Sequence, residues 1–158
     1  MKKVPLSEFP HHLKTALEKA KQELLSPSSL QQIGDDIAEQ LRLRARLGNG
    51  LGENYTDPAK LKPLSPKYVE QRKKMKDLSE ETTPKKSNLT QTGEMLDDII
   101  ARINGFKITI TFKEQFSKDK ARWNSVKGRP FMHISRVQVQ RLTNDMQSKL
   151  RSNLKKYL

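Results

Sequence analysis

Cysteine is absent from this chain of 158 residues, which excludes disulfide bonds, catalytic thiolates and cysteine-based zinc sites. Aromatic residues make up only 6%, so stacking of successive bases, as in single-strand-binding proteins, is poorly supported. No apolar run reaches the ~18 residues that cross a bilayer, and no apolar signal core follows the N-terminal lysines. The sequence therefore predicts a protein made and kept in a cytoplasm, stabilised by packing, hydrogen bonds or oligomerisation.

Basic residues dominate the charge. Lysine and arginine total 31 against 18 acidic residues, which gives a net charge of +13 and is expected to attract polyanions. Only 34% of the residues are hydrophobic and the mean hydropathy is -0.82, so the apolar side chains can fill one modest core. We expect a single domain with extended arms, or with surface that becomes buried only in an assembly.

Apolar periodicity predicts a pair of helices over residues 1–47. The first runs from about Glu8 to Leu25 and ends at the sequence "SPSS". Ser29 and Gln32 have the spacing of a capping box, which predicts a second helix ending near Leu47. The apolar residues that define the two helices are Leu13, Leu17, Ala20 and Leu24, then Leu30, Ile33, Ile37 and Leu41.

Residues 48–158 predict an α+β core that forms one structural unit with the helical pair. Two long loops are expected at 48–64 and 77–90, because both are rich in breaker and polar residues and lack periodicity. Between them, Ser65 and Pro66 are typical of the first positions of a helix. This helix carries a heavily basic face.

The fold class follows from the remaining elements: α+β, with a small antiparallel sheet packed by several α-helices. Thr92 is suited to cap a short helix. Asn104-Gly105 predicts a hairpin over about 99–112, with Phe106, Ile108, Ile110 and Phe112 on its buried face. A third strand is expected at about 130–134. Ser135 and Gln138 then open a last helix, whose apolar side carries Val139, Leu142, Met146, Leu150 and Leu154.

No set of residues predicts catalysis. His11 and His12 are adjacent on a helix and point about 100° apart, so they cannot chelate one metal ion, and His133 stands alone. The adjacent carboxylate pairs diverge in the same way or lie in solvated loops. The sequence "GNGLG" follows a helix and lacks the other residues of a phosphate-binding loop. We therefore expect no enzyme, no metal and no cofactor.

Basic residues concentrate in one third of the chain. With so few aromatics, they predict sequence-independent phosphate attraction or a surface that faces an acidic partner. The residues considered for this role are Arg42, Arg44, Arg46, Lys67, Arg72, Lys73, Lys74 and Lys76.

Several motifs in this order resemble a known family. Leu64-Ser65 followed by Tyr68 and a basic helix precede "LTQTGEML", then a hairpin, an Arg-Pro-Phe triplet and a long terminal helix. This pattern is similar to the tail-completion or virion-morphogenesis proteins of tailed bacteriophages, the small neck and minor-tail proteins, over about residues 64–158. The residues that carry the resemblance are Leu89, Thr92, Gly93, Leu96, Arg129, Pro130 and Phe131. The chain departs from many relatives, which have Tyr-Ala and His-x-x-Gly before Arg-Pro-Phe.

The resemblance implies a structural virion protein without catalytic activity. It implies that Thr92 and Gly93 start a short helix and that Arg129, Pro130 and Phe131 lead into a strand. It also implies a homo-oligomeric ring at the neck, assembled in the bacterial host cytoplasm between portal-side and tail-side proteins. The basic residues suit a channel through which genomic DNA passes, or a seat on an acidic portal or tail surface, and no membrane partner is expected. We expect residues 48–63, residues 79–87 and the sheet edges to form the ring contacts. The alternative from composition is a cytoplasmic protein that binds DNA without sequence preference.

Overall fold

Helices and short antiparallel strands make up the fold, which confirms the predicted α+β class. The computed structural model describes residues 9–51, 58–80 and 82–158. The helices are α1 (Phe9–Leu24), α2 (Pro27–Arg46), α3 (Pro66–Lys73), α4 (Glu94–Asp97), α5 (Gln115–Val126) and α6 (Arg136–Tyr157). The strands are β1 (Asn49–Leu51), β2 (Pro58–Lys60), β3 (Ile99–Asn104) and β4 (Lys107–Phe112). Within those ranges, no helix has the length and apolar character needed to span a membrane.

Helix α2 packs across the hairpin formed by β3 and β4. Their backbones approach closely because Gly34 has no side chain: a Cβ at this position would lie 2.5 Å from the Cβ of Ala101. On one side of this contact, Ile33, Ile37 and Leu41 form a cluster with partly buried apolar residues of β4 and α6. A second cluster uses the adjacent positions Ala38 and Ala45 of α2, and contains Ala38, Ala45, Met95, Leu96, Ile99, Phe112, Ala121 and Phe131.

The hairpin has the predicted extent, with Ile99 paired to Phe112 and Asn104 paired to Lys107. Its turn lies one residue later than the Asn-Gly pair suggested, with Gly105 at the first central position and φ of 58°. Phe106 takes the second position and is 77% exposed. The expectation that Phe106 belongs to the buried face is therefore wrong, because the side-chain alternation begins only at Lys107.

Two predicted caps are wrong. Helix α2 begins at Pro27 with Ser26 as its cap, the Ser26 hydroxyl accepting a hydrogen bond from the backbone N–H of Ser29. Ser29 therefore lies inside the helix. Helix α4 is capped by Gly93 in the left-handed conformation, with φ of 86°, while the Thr92 hydroxyl bonds to Glu94. The caps predicted at Ser65 and Ser135 are confirmed, the latter with a complete capping box.

The segment 48–64 contains more structure than its composition predicted. β1 and β2 pair within it, and the backbone N–H of Leu51 donates to the carbonyl oxygen of Pro130. The predicted strand at 130–134 is absent: this part of the chain is irregular, and the two small sheets have two strands each. Pro130 has no N–H to donate, and the Arg44 guanidinium binds the carbonyl oxygens of Phe131 and His133.

Helix α6 packs against α1 and α2 with one side only. Leu142 and Met146 contact the Ile33 cluster, yet no residue of α6 is fully buried. Near its C-terminal end, the Lys156 ammonium donates to the Glu23 carboxylate at 2.7 Å, and the Tyr157 hydroxyl donates to the same carboxylate at 3.2 Å. The hydrogen bond and charge of Lys156 lower the pKa of Glu23, against a smaller desolvation effect.

Replacing Gly50 by alanine is expected to lower the free energy of unfolding by about 1–3 kcal/mol, because overpacking forces the surroundings to shift. A methyl group there would overlap the Pro130 carbonyl oxygen and the Leu61 side chain. Urea denaturation of Gly50→Ala measures this effect. Gly105→Asn is the control, since nothing lies within 4 Å of that position and asparagine tolerates its positive φ. Equal stability of Gly50→Ala and the wild type would contradict the close contact.

The end of α6 is expected to fray more in acid. The pKa of Glu23 is lowered in the folded state, so its contribution is present above the ordinary carboxylate pKa and is lost as pH falls through the folded value. Protection factors of the amides of residues 153–158, which correct for the slower intrinsic exchange in acid, measure this fraying from neutral to acidic pH. In Glu23→Gln the same amides should have lower protection factors at neutral pH, and these factors should change little in acid. A wild-type profile that does not change on acidification would exclude this role of Glu23.

Candidate functional site

A deep cleft lies between three parts of the chain, and its volume is about 1170 Å³. One wall is the segment from Lys62 to Arg72, which includes most of α3. A second wall is the segment from Leu89 to Gly93. The third is the C-terminal half of α5 together with Gly128 and Arg129.

Charge in the cleft is of one sign. Its basic residues are Lys62, Lys67, Arg72, Lys120, Lys127 and Arg129. No aspartate or glutamate is among the described residues that line it. Apolar side chains share the surface with these cations: Leu64, Leu89, Met95, Trp123 and Val126. The cleft therefore combines a positive potential with apolar walls. This combination attracts ligands that carry both anionic and apolar groups.

Two arginines of the cleft carry a positive charge that no carboxylate among the described residues neutralises. Arg72 is 2% exposed, and its Nη1 and Nη2 donate to the Lys86 carbonyl oxygen at 2.8 Å and the Thr82 hydroxyl at 3.0 Å. The Nη2 of Arg129 donates to the Pro63 carbonyl oxygen at 3.2 Å. The Nε atoms of both are buried without an acceptor in the described part of the chain. Since a buried charge is ordinarily paired, both guanidinium groups have unused capacity for an anion.

Both arginines have a lowered pKa. Burial lowers the pKa of Arg72, and the positive charge of Arg129 lowers it further, while Tyr68 acts in the opposite direction. Burial also lowers the pKa of Arg129, again opposed by Tyr68. The two cations are thus close enough to repel each other. A bound anion would relieve both effects.

Tyr68 and Gln91 join two walls of the cleft. The Tyr68 hydroxyl donates to the Gln91 side-chain oxygen at 2.7 Å, and the backbone carbonyl of Gln91 accepts from Ser79 at 2.8 Å. Next to Gln91, the fully buried Thr90 hydroxyl has no hydrogen-bond partner among the described residues. Leu89 has φ of 55°, the one positive value at a described non-glycine residue. Backbone strain of this kind is often found where a ligand is held.

The residues that carry the family resemblance meet at this cleft. Leu89, Thr92, Gly93 and Arg129 line it, although Gly93 and Arg129 are far apart in the sequence. Leu96 and Phe131 are fully buried directly behind it in one apolar cluster. Pro130 accepts the hydrogen bond from Leu51. The segment Arg129-Pro130-Phe131 leads into an irregular stretch, so the strand implied at this point is not formed.

The basic residues predicted to face DNA or an acidic partner fall into two groups. The arginines of α2 point into the protein: Arg42 donates to the carbonyl oxygens of Leu96 and Ile99, Arg46 pairs with Asp97, and Arg44 is 8% exposed. Of the others, Lys67 and Arg72 line the cleft. Lys73, Lys74 and Lys76 are exposed at and after the end of α3, outside the cleft lining.

Helix α5 supplies cleft residues that the sequence analysis did not single out as binding residues. Lys120, Trp123 and Lys127 recur at helical spacing and lie on one face. The Lys127 ammonium lies 3.2 Å from the centre of the Trp123 ring, a cation–π contact. The signal was available in the sequence "KARWNSVK", but a basic face at three- and four-residue spacing is also typical of any solvated helix.

The histidines do not converge. His11 and His12 are exposed on α1 and His133 is exposed before α6. In residues 9–51, 58–80 and 82–158, no group of three or more histidine, aspartate or glutamate side chains could hold a metal ion.

Comparisons with known proteins leave the site to be interpreted from its own geometry. No protein-family model, no curated protein and no solved structure matches the chain.

Replacing Arg44 by alanine is expected to lower the free energy of unfolding by about 3 kcal/mol, because charged hydrogen bonds are lost and buried carbonyl oxygens are left without a donor. Arg44 donates to Phe131, His133 and the Gln138 side chain. Thermal or urea denaturation measures the change. Arg151→Ala is the matched control, since Arg151 is exposed on α6. If both variants are equally stable, Arg44 does not fasten the 129–135 segment.

Proposed function

We propose that this chain is a non-enzymatic structural protein of a tailed phage virion, forming a ring that completes or stabilises the junction of head and tail. Support comes from the family motifs and from one structural observation, the open edges of the β3–β4 hairpin. Its sheet has two strands, so in the described ranges each strand has one unpaired side. Two-stranded sheets are marginal alone, and unpaired edges pair readily with another chain.

Exposed apolar side chains support assembly as well. Phe106 at the hairpin tip is 77% exposed, and Leu43 in α2 and Leu47 at its C-cap are 50% and 71% exposed. Leu43 and Leu47, one turn apart, form an apolar pair of the kind found at protein–protein contacts, and Phe106 is a single exposed aromatic at the tip. In the proposed ring, the hairpin edge and tip of one copy contact the next. The faces of the ring meet portal-side and tail-side proteins, and DNA passes through the channel.

A second candidate function is sequence-independent DNA binding in the cytoplasm. It is favoured by the exposed lysines at and after the end of α3, Lys73, Lys74 and Lys76. Such a protein binds duplex with a steep dependence on salt concentration. For a neck protein, by contrast, DNA binding is expected to be weak in a gel-shift assay and to vanish at moderate salt.

Purified protein is expected to give ring-shaped particles of one size by mass photometry and negative-stain microscopy. Phe106→Asp should shift the population to single subunits, because it places a charge at the proposed contact between copies. Phe116→Asp is the matched control, since Phe116 is 68% exposed on α5 and carries the same substitution outside the hairpin. A single subunit at every concentration, with strong and salt-dependent duplex binding, would contradict the ring and favour the DNA-binding function.

A further inference from the structure

The cleft contains charge that the protein itself does not neutralise. Arg72 and Arg129 donate only to neutral oxygen atoms among the described residues, and four lysines surround them. The buried hydroxyl of Thr90 also lacks a partner in this part of the chain. A folded protein ordinarily satisfies such groups, because a buried charge or hydroxyl without a partner costs free energy. The expected occupant therefore carries negative charge and hydrogen-bond acceptors.

The shape of the cleft excludes duplex nucleic acid as that occupant. Its volume of about 1170 Å³ lies between three walls and is open to solvent, which is slightly above the ~300–1,000 Å³ of pockets that bury most of a small ligand. A duplex is convex, and proteins read it with elements that project into its grooves. The cations of this cleft instead surround a concave space that a few residues of an extended chain can fill.

The walls also disfavour single-stranded nucleic acid. Base recognition needs free aromatic faces, whereas one face of Trp123 is already covered by the Lys127 ammonium, 3.2 Å from the ring centre. Tyr68 uses its hydroxyl to bond Gln91. The remaining wall side chains, Leu64, Leu89, Met95 and Val126, fit aliphatic groups, which nucleic acids lack apart from the thymine methyl.

A second copy of this chain is a poor occupant. A segment of the chain that combines acidic and apolar residues, 94–100, has Met95, Leu96 and Ile99 buried in its own core, so it is not free to enter the cleft of another copy. An acidic partner is attracted by the positive potential of the cleft, with a faster encounter rate.

We propose that this cleft binds an acidic peptide segment of a partner protein, with carboxylates on Arg72, Arg129 and the surrounding lysines and aliphatic side chains against the Leu64–Val126 walls. This inference goes beyond the proposed ring, since it assigns a ligand class to a site within one subunit.

The natural partner is represented in the test by a fluorescent peptide in which glutamate alternates with leucine. Fluorescence anisotropy with the full chain measures its binding. Trp123, the sole tryptophan, is 63% exposed in the cleft, so its emission reports whether the peptide docks there. Binding is expected to shift the emission to shorter wavelength, because the indole loses contact with water. Binding should also weaken as salt is raised.

The decisive variant is the double substitution Lys62→Glu and Lys67→Glu. Both lysines are exposed and line the cleft. Reversal of the two charges is expected to weaken peptide binding by about tenfold or more, because attraction becomes repulsion. The matched control is Lys74→Glu with Lys76→Glu, which changes the net charge equally but lies outside the cleft lining. Denaturation midpoints of both variants establish that each is folded.

Several outcomes would overturn the inference. Equal weakening by both double variants would mean that only net charge attracts the peptide. Equal binding of a peptide that alternates glutamate with serine would mean that the apolar walls take no part. An oligothymidylate that binds more tightly than the peptide and shifts Trp123 emission would assign the cleft to nucleic acid. Ring formation is measured separately, so its failure would leave this test intact.

Discussion

The guanidinium group of Arg44 holds together the parts of the chain that build the cleft. From the last turn of α2 it donates to the carbonyl oxygens of Phe131 and His133 and to the Gln138 side chain. It therefore fixes the irregular segment between α5 and α6. That segment begins with Arg129, whose own Nη2 reaches Pro63 on the opposite wall. Because a planar guanidinium offers several donors in fixed directions, one side chain can satisfy backbone groups that a strand ladder would otherwise satisfy.

Arginine plays the same part elsewhere in the fold. Arg42 binds the carbonyl oxygens of Leu96 and Ile99, and Arg72 binds the Lys86 carbonyl oxygen. With 34% hydrophobic residues, the protein has a limited apolar core, and these contacts close the irregular segments that the core does not reach. Part of the net charge is thus used inside the protein. The surface is less uniformly basic than composition alone indicates.

Local patterns predicted the regular elements because their causes are local. The apolar stripe of α2 and the alternation in β4 each follow from neighbouring residues. The caps were predicted less well. The sequence "SPSS" contains three serines, and Pro27 favours Ser26 as the cap because proline fits the first helical position. The absence of a strand at 130–134 could not be predicted from the neighbouring residues in the sequence. Arg44, 87 positions before Phe131, takes the carbonyl oxygen that a neighbouring strand would need.

The cleft was predicted only in part for the same reason. Motif residues Leu89, Thr92, Gly93 and Arg129 were identified as a set, but neither their convergence nor the contribution of Lys120, Trp123 and Lys127 follows from spacing along the chain. Their proximity depends on how α5 packs behind the hairpin. Conversely, Arg42, Arg44 and Arg46 form a basic stripe in the sequence, yet each has a backbone or carboxylate partner within the chain.

The arginines of α2 and those of the cleft differ in where they lie. Burial lowers the pKa of Arg44 as well, but Arg44 lies outside the cleft lining and joins α2 to the segment before α6. Arg72 and Arg129 have a lowered pKa from burial, with Arg129 adding repulsion at Arg72, and no carboxylate in the described ranges offsets this cost. The strained backbone at Leu89 lies at the same place. Six cations that gather in one concave site, with no carboxylate among its described lining residues, support the anionic ligand proposed for it.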